Sequence, residues 1–310
     1  MNANLNNANV IRAAFLDFIE RLELIAKKNP DILINTLSNI FAMRMVGNKT
    51  HGDLAEIGLS EFVNFFVYDF SSLHVGKENY RKKAKEEDIS VTSKVGAYKD
   101  VPIPISVKAY GIGPLQLSTD KDNQLYPFIE AIFRQEKTSI LEGTRAKQVV
   151  GNAVFQSAAN LNVLPLVYDE KKRRCNIMPF DFKKAFAETE YIVFVSASQQ
   201  FDSRTRSVIS KGRRKHPIFL FLDKQYKYLF EVRYGNAAAN ALQRGVWTNT
   251  RIVNQSFFHS VTGGWVDYSD RPTLVQLIAV ALNATASGHK AALKPLEKDI
   301  ETLKRNACLP

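Results

Sequence analysis

Apolar positions along the first part of the chain recur at helical spacing. Between residues 11 and 26, Ile11, Phe15, Phe18, Ile19, Leu22 and Ile25 stand three or four apart with Glu20, Arg21 and Glu23 between them, which predicts an amphipathic helix. Pro30-Asp31 opens a second helical pattern through Ile40 and Met43, closed by the stop residues Gly47-Asn48. Thr50-His51-Gly52-Asp53 reads as a turn and cap into a third helix over 54–68, with Leu54, Ile57, Phe62, Phe65 and Phe66 on its apolar face.

The period changes from residue 89 onward. Two short runs rich in β-branched residues, 89–98 and 101–110, flank Lys99-Asp100 and predict a hairpin. Pro102 and Pro104 confine the second run to an edge or to the end nearest the turn. Further strands are predicted over 163–168, 191–196, 218–222 and 228–234, and further helices over 126–135, 151–160, 274–282 and 291–305. The pattern is α/β (α+β), with a helical N-terminal region and no repeat, low-complexity linker or clear boundary, so one compact domain is expected.

Composition sharpens this picture. A chain of 310 residues that is 45% hydrophobic can bury a sizeable core, and its 42 Lys plus Arg against 31 Asp plus Glu, net +11, suit a protein that meets a polyanion. Two cysteines, Cys175 and Cys308, are too few for a disulfide framework or a Cys-rich zinc site, and a reducing compartment fits best. Residues 1–10 are Asn-rich and uncharged, unlike a secretory signal, and no run reaches the roughly 18–20 apolar residues of a membrane span. A cytoplasmic location without membrane contact is the expectation.

One segment carries a candidate chemistry. Residues 99–111 form an otherwise apolar strand that delivers Lys108 into the turn Gly111-Ile112-Gly113-Pro114, and such a strand has little structural reason to hold a lysine. The polar run Gln116 to Asn123 follows and suits a DNA backbone. Hydrolysis of a phosphodiester needs an activated water and neutralisation of the charge building on phosphorus, which carboxylates holding Mg²⁺ beside a lysine provide.

The stretch ISVKAYGIGPLQLSTDK resembles the catalytic-strand region of type II restriction endonucleases of the PD-(D/E)xK nuclease superfamily, over roughly residues 50–122. The resemblance implies a restriction-endonuclease-like core over 49–285, between a helical region at 1–48 and a helical tail at 286–310. It also implies a Mg²⁺-dependent, sequence-specific double-stranded DNA endonuclease, and a homodimer acting beside a cognate DNA methyltransferase. Such enzymes place one acid at a strand end, a second acid and the lysine on the adjoining strand, and often a further acid on the preceding helix. Lys108 takes the lysine position, and Asp88 or Asp100 the leading aspartate. The position two before the lysine is Ser106, where the pattern has an acid. Glu56, which shares a helix face with Asp53 and Ser60, is the candidate to replace it, with Asp122 and Glu130 as alternatives. A competing D…ExR pattern, Asp223, Glu231 and Arg233, puts arginine where the compact charge of lysine is needed.

Two stretches suit DNA contact. Arg204, Arg206, Lys211, Arg213, Arg214 and Lys215 lie among Ser and Thr with no acid, the composition of a phosphate-tracking loop, and Lys171 to Arg174 form a weaker cluster. Asn240, Gln243 and Arg244, among small residues in 236–250, are the side-chain types that read base edges. The histidines His51, His74, His216, His259 and His289 are scattered, and neither a P-loop, a G-x-G-x-x-G fingerprint nor a G-x-S-x-G elbow is present. The rival reading is a non-catalytic DNA- or RNA-binding protein, for which the basic runs suffice.

Overall fold

The computed structural model describes residues 2–28, 51–75, 87–120, 122–159, 162–169, 171–172, 174–212, 216–233, 244–251 and 256–267. The predicted helices over 30–43, 274–282 and 291–305 lie outside them. The chain opens with helices α1 (Asn2–Lys28) and α2 (His51–Phe66), then strands β1 (Phe70–His74), β2 (Ile89–Ser93) and β3 (Pro102–Gly111). Next come β4 (Pro114–Ser118), α3 (Leu125–Glu136), β5 (Ile140–Glu142), α4 (Gly143–Gly151) and α5 (Ala153–Ala159). β6 (Val163–Asp169) and β7 (Arg174–Ile177) precede α6 (Phe182–Glu188), β8 (Tyr191–Val195), β9 (Gln200–Asp202) and β10 (Ser207–Ile209). β11 (Ile218–Leu222), β12 (Tyr228–Arg233), β13 (Gly245–Asn249) and β14 (Val266–Asp267) complete the described elements.

These elements form two compact units, which the chain enters alternately. The first comprises 1–111, 162–179 and 260–310, and the second 112–161 and 180–259. The Gly111 to Pro114 turn is the first crossing point.

The first unit is built on a mixed sheet of order β1-β2-β3-β6-β7-β14. β1, β2 and β3 are antiparallel neighbours, whereas β3 and β6 run parallel, with Lys108 opposite Pro165. Helices α1 and α2 bury their apolar stripes against one face of this sheet. Phe15, Phe18 and Leu22 from α1 and Phe62 and Val63 from α2 join Ile89, Val91, Ile103 and Ile105 in a single core. Phe18 meets Phe70 edge to face at 5.4 Å, so α1 and the first strand are fixed together. The predicted strand over 89–98 is cut short at Ser93 because Gly96 turns with φ 76° into a 3₁₀ segment, Gly96–Tyr98.

The second unit carries a sheet of order β4-β13-β12-β11-β8-β5. Every residue of β11, Ile-Phe-Leu-Phe-Leu, is buried, which explains its unbroken apolar run: both faces of the strand are covered. On the helical face, Phe155 packs against Phe186, Phe221 and Phe230 at 5.2, 5.2 and 6.1 Å. The other face presents Val193, Leu220 and Leu222, against which Phe201 and Val208 of the β9–β10 hairpin pack. Gly245, at φ 119°, lets β13 approach β4: a Cβ there would stand 2.1 Å from the Ser118 carbonyl oxygen.

Candidate functional site

The end of the first sheet where β2 begins brings Asp88 to the β3 segment that leads to Lys108. The register of β2 with β3 ends at Ile89 and Ile105, while β3 continues alongside β6. The Asp88 N–H donates to the Ile105 carbonyl at 2.9 Å. One residue further, the backbone N–H of Val107 lies beyond the last paired residue of β2, and the Asp88 carboxylate takes the place of a strand carbonyl. Its Oδ2 accepts from Val107 N at 2.8 Å and from Ser106 Oγ at 3.0 Å. Ser106 is only 2% exposed, so its hydroxyl needs this acceptor. Both bonds fall on Oδ2, and Oδ1 takes none from the described residues.

Strand alternation decides which side chains share this face. Ile89 and Ile105 are register partners in the core beneath α2, so Asp88 and Ser106, one residue on, face the opposite way. Lys108, two residues beyond Ser106, lies on the same face as Asp88 and roughly 7 Å further along the strand. The S-x-K segment and the aspartate thus meet across two neighbouring strands.

Glu56 belongs to the other face. His74 is the register partner of Ile89, and its Nε2 lies 3.4 Å from Glu56 Oε2, with both side chains nearly buried. One turn along α2, Ser60 Oγ meets Ser72 Oγ at 2.9 Å. Helix positions 56 and 60 therefore match strand positions 74 and 72, and Glu56 is held to the same end of the sheet as Asp88 but on the α2 side. Burial raises the Glu61 carboxyl above its ordinary range, with His74 acting against that rise. In the sequence His74 is one of five scattered histidines, and the i, i+2 alternation of Ser72 and His74 facing the i, i+4 pair Glu56 and Ser60 is the signal for its place.

Asp100 is not brought to Lys108. It lies in the exposed turn at the far end of the hairpin with φ 62°, its N–H donating to Ser93 O at 2.9 Å. From Pro102 to Lys108 the strand rises roughly 20 Å, too far for a carboxylate to share a site. Asp122 and Glu130 belong to the second unit, where Asp122 is exposed and Glu130 pairs with Arg134 at 3.2 Å. In the competing pattern, Asp223 Oδ1 closes the β11–β12 turn by accepting from Gln225 N at 2.8 Å and Lys227 N at 2.9 Å. Glu231 is buried and ion-paired with Arg233, whose guanidinium stands 4.2 Å from the Trp247 ring centroid.

The polar run after β3 turns inward instead of meeting a backbone. Gln116 and Ser118 are buried in β4, and Gln116 Nε2 donates to the Arg244 carbonyl at 3.1 Å. Asp120 starts α3: its Oδ1 accepts from Gln124 N and its Oδ2 from Leu125 N, both at 2.9 Å. Asp120→Ala is expected to lower stability by about 1 kcal/mol, as loss of a cap does, and to leave DNA affinity unchanged. Denaturant unfolding and a gel shift on the same variant check this, and weakened binding at unchanged stability would return Asp120 to the DNA surface.

Of the predicted DNA-contacting residues, Arg204 is exposed in the β9–β10 turn and Lys211 is exposed just after β10. Arg206, at φ 53°, lies with its guanidinium 4.9 Å from the Tyr226 ring centroid. Arg213, Arg214, Lys215, Asn240 and Gln243 lie outside the described residues. Arg244 leads into β13, and residues 245–249 of the expected recognition segment form a strand inside the sheet between β4 and β12.

Among the described residues, no group of three or more His, Cys, Asp or Glu is placed to hold a metal ion, and no helix is long and apolar enough to cross a membrane. Compared with known protein families, characterised proteins and solved structures, the chain matches none.

Proposed function

We propose that the chain is a Mg²⁺-dependent, sequence-specific double-stranded DNA endonuclease of the type II restriction kind, resembling the PD-(D/E)xK nucleases. The observation that carries the reading is the meeting of Asp88, at the start of one strand, with the Ser106-Val107-Lys108 segment of its antiparallel neighbour. The preceding helix, α2, carries Glu56 at the same end of the sheet but on its other face, paired with His74 and apart from Asp88 and Lys108. A leading acid, an adjoining strand with a lysine and a preceding helical acid are the parts that the resemblance implies.

The donor set bears on the metal. Mg²⁺ relies on one or two protein carboxylates and fills its remaining positions with water and phosphate. Asp88, with Oδ1 clear of the two bonds that fix its other oxygen, is the residue that would hold it. Bound there, Mg²⁺ would lower the pKa of a water and neutralise phosphate charge. Lys108 would place its ammonium against the charge building on the phosphorus oxygens and orient the attacking water. Ser106 fixes the rotation of the Asp88 carboxylate, a task that an acid at that position could not perform beside another carboxylate without repulsion.

The exposed Arg204 and Lys211 also suit the rival, a nucleic-acid binder without catalysis, for which phosphate contacts suffice. The two readings separate when the protein is bound to linear duplex DNA in EDTA and Mg²⁺ is then added. The endonuclease reading expects binding before the addition and strand scission after it, whereas stable binding with intact DNA at every Mg²⁺ concentration supports the rival.

The basic hairpin gives a separate expectation. Replacing Arg204, Arg206 and Lys211 together by alanine should weaken binding to all DNA sequences and flatten the salt dependence by about one unit per lost phosphate contact. An unchanged slope would assign these side chains to the solvated surface.

A further inference from the structure

The second unit contains a groove of about 530 Å³ that the reading above does not use. Leu220, Leu222 and Tyr228, from β11 and β12, line one side, and Gln199, Gln200 and Phe201 approach from the β9 hairpin. Gln225, Tyr226 and Lys227 from the β11–β12 turn complete it. We propose that this groove takes one unpaired nucleotide of a DNA strand. The inference rests on the DNA-binding half of the reading above and not on cleavage.

Size is the first argument. The volume falls within the roughly 300–1,000 Å³ of small-molecule sites, enough for a nucleotide and far too small for a duplex. Chemistry is the second. The wall combines aromatic rings, the type of surface on which bases of any identity stack, with three glutamine amides, of which Gln199 already accepts from Ser196 N while Gln200 and Gln225 offer donor and acceptor to a base edge. Charge is the third. Among the described residues no Asp or Glu lines the groove, Lys227 does, and Arg204 and Lys211 are exposed on the flanking hairpin and its continuation, so the surroundings favour a ligand with phosphate on either side. Asp202 and Asp223 are engaged by the backbone: Asp202 Oδ1 accepts from Arg204 N, and Asp223 Oδ1 closes the turn that carries Tyr226.

The backbone is built to hold these rings in place. Tyr226 has φ 60° and Arg206 φ 53°, conformations that side chains of this size adopt only when their surroundings impose them. Tyr226 is fixed by stacking on Tyr191 at 4.2 Å and 15° and by Arg206 at 4.9 Å, and Phe201 lies nearly parallel to it, with centroids 6.0 Å apart. At Gly212 the chain passes so close to the hairpin that a Cβ would stand 1.9 Å from the Gln199 carbonyl oxygen, which keeps that wall of the groove in position. Preorganised aromatic surface beside amides and cations is the combination that an extended nucleotide requires.

The test uses the full chain in EDTA with a short DNA carrying 5-iododeoxyuridine at one position, either single-stranded or paired in a duplex. Photo-crosslinking followed by peptide mapping should join the base to the segment containing Phe201 or to that containing Tyr226 and Tyr228. A crosslink from the single strand alone means that the groove accepts a strand already unpaired, and one from the duplex as well means that the base leaves its stack to enter. Either supports the inference. Phe201→Ala and Lys227→Ala should each weaken single-strand affinity about tenfold with unchanged circular dichroism. Crosslinks mapping elsewhere, undiminished affinity in both folded groove variants, or capture of an RNA strand but not DNA would overturn it. If the duplex binds normally in those cases, the endonuclease reading stands, and if no nucleic acid binds at all, both fall.

Discussion

Lys108→Ala is expected to abolish DNA cleavage, by about 10²–10³-fold or more, while leaving DNA affinity within roughly twofold of the unaltered protein. Its position motivates the asymmetry. Lys108 stands on the sheet face that carries Asp88 and Ser106, in a strand whose other residues from 103 to 107 are buried or half-buried. An ammonium there acts on charge that appears only as the phosphorus is attacked, so its loss falls on the chemical step. Binding is spread over many phosphate and base contacts and survives. Single-turnover cleavage and gel-shift affinity, measured on one preparation, check this. Full cleavage by the variant would remove Lys108 from the site, and loss of binding with cleavage would make it a DNA-contacting or structural residue.

Asp88→Ala is expected to combine two losses, and Asp88→Asn separates them. Alanine removes the acceptor of both Ser106 Oγ and Val107 N, and leaving two buried donors unmatched costs about 1–3 kcal/mol for each if water does not reach them. The asparagine variant keeps a carbonyl oxygen that can accept from these donors, so its unfolding midpoint should stay close to that of the unaltered protein. It has no carboxylate charge to hold Mg²⁺, so its cleavage should fall as far as that of the alanine variant. Thermal unfolding beside cleavage at several Mg²⁺ concentrations reads both effects. An asparagine variant that cuts normally would leave Asp88 as the structural end of a strand ladder and no more.

What could be read from the sequence depended on how local the cause was. The strands at 163–169, 191–195, 218–222 and 228–233 stand within a residue or two of the apolar runs that predict them, because burial on both faces leaves little room for polar residues. Helix α2 likewise follows from its apolar face. Polar segments were harder. The run Gln116 to Asn123 has the composition of a solvent-facing loop, yet Gln116 and Ser118 are buried in a strand and Asp120 starts a helix, roles that only the neighbouring elements decide.

The candidate site shows the same limit. Lys108 stands out as a lysine in an apolar strand, but choosing between Asp88 and Asp100 requires the hairpin register. Pairing Ile89 with Ile105 carries Asp88 to Ser106 and leaves Asp100 at the opposite end. Ser106 looked like a missing acid from spacing alone, and its hydrogen bond gives it a positioning task instead. The division into two units leaves no mark in the sequence because no stretch of linker composition stands at the crossings after residues 111, 161, 179 and 259.

The most direct test of the central claim is digestion of phage DNA by the purified chain in Mg²⁺ and, in parallel, in EDTA. The account predicts a fixed set of discrete fragments in Mg²⁺, whose ends share one short sequence, and intact DNA in EDTA. Intact DNA under both conditions, at enzyme concentrations where a gel shift shows the DNA fully bound, would contradict it.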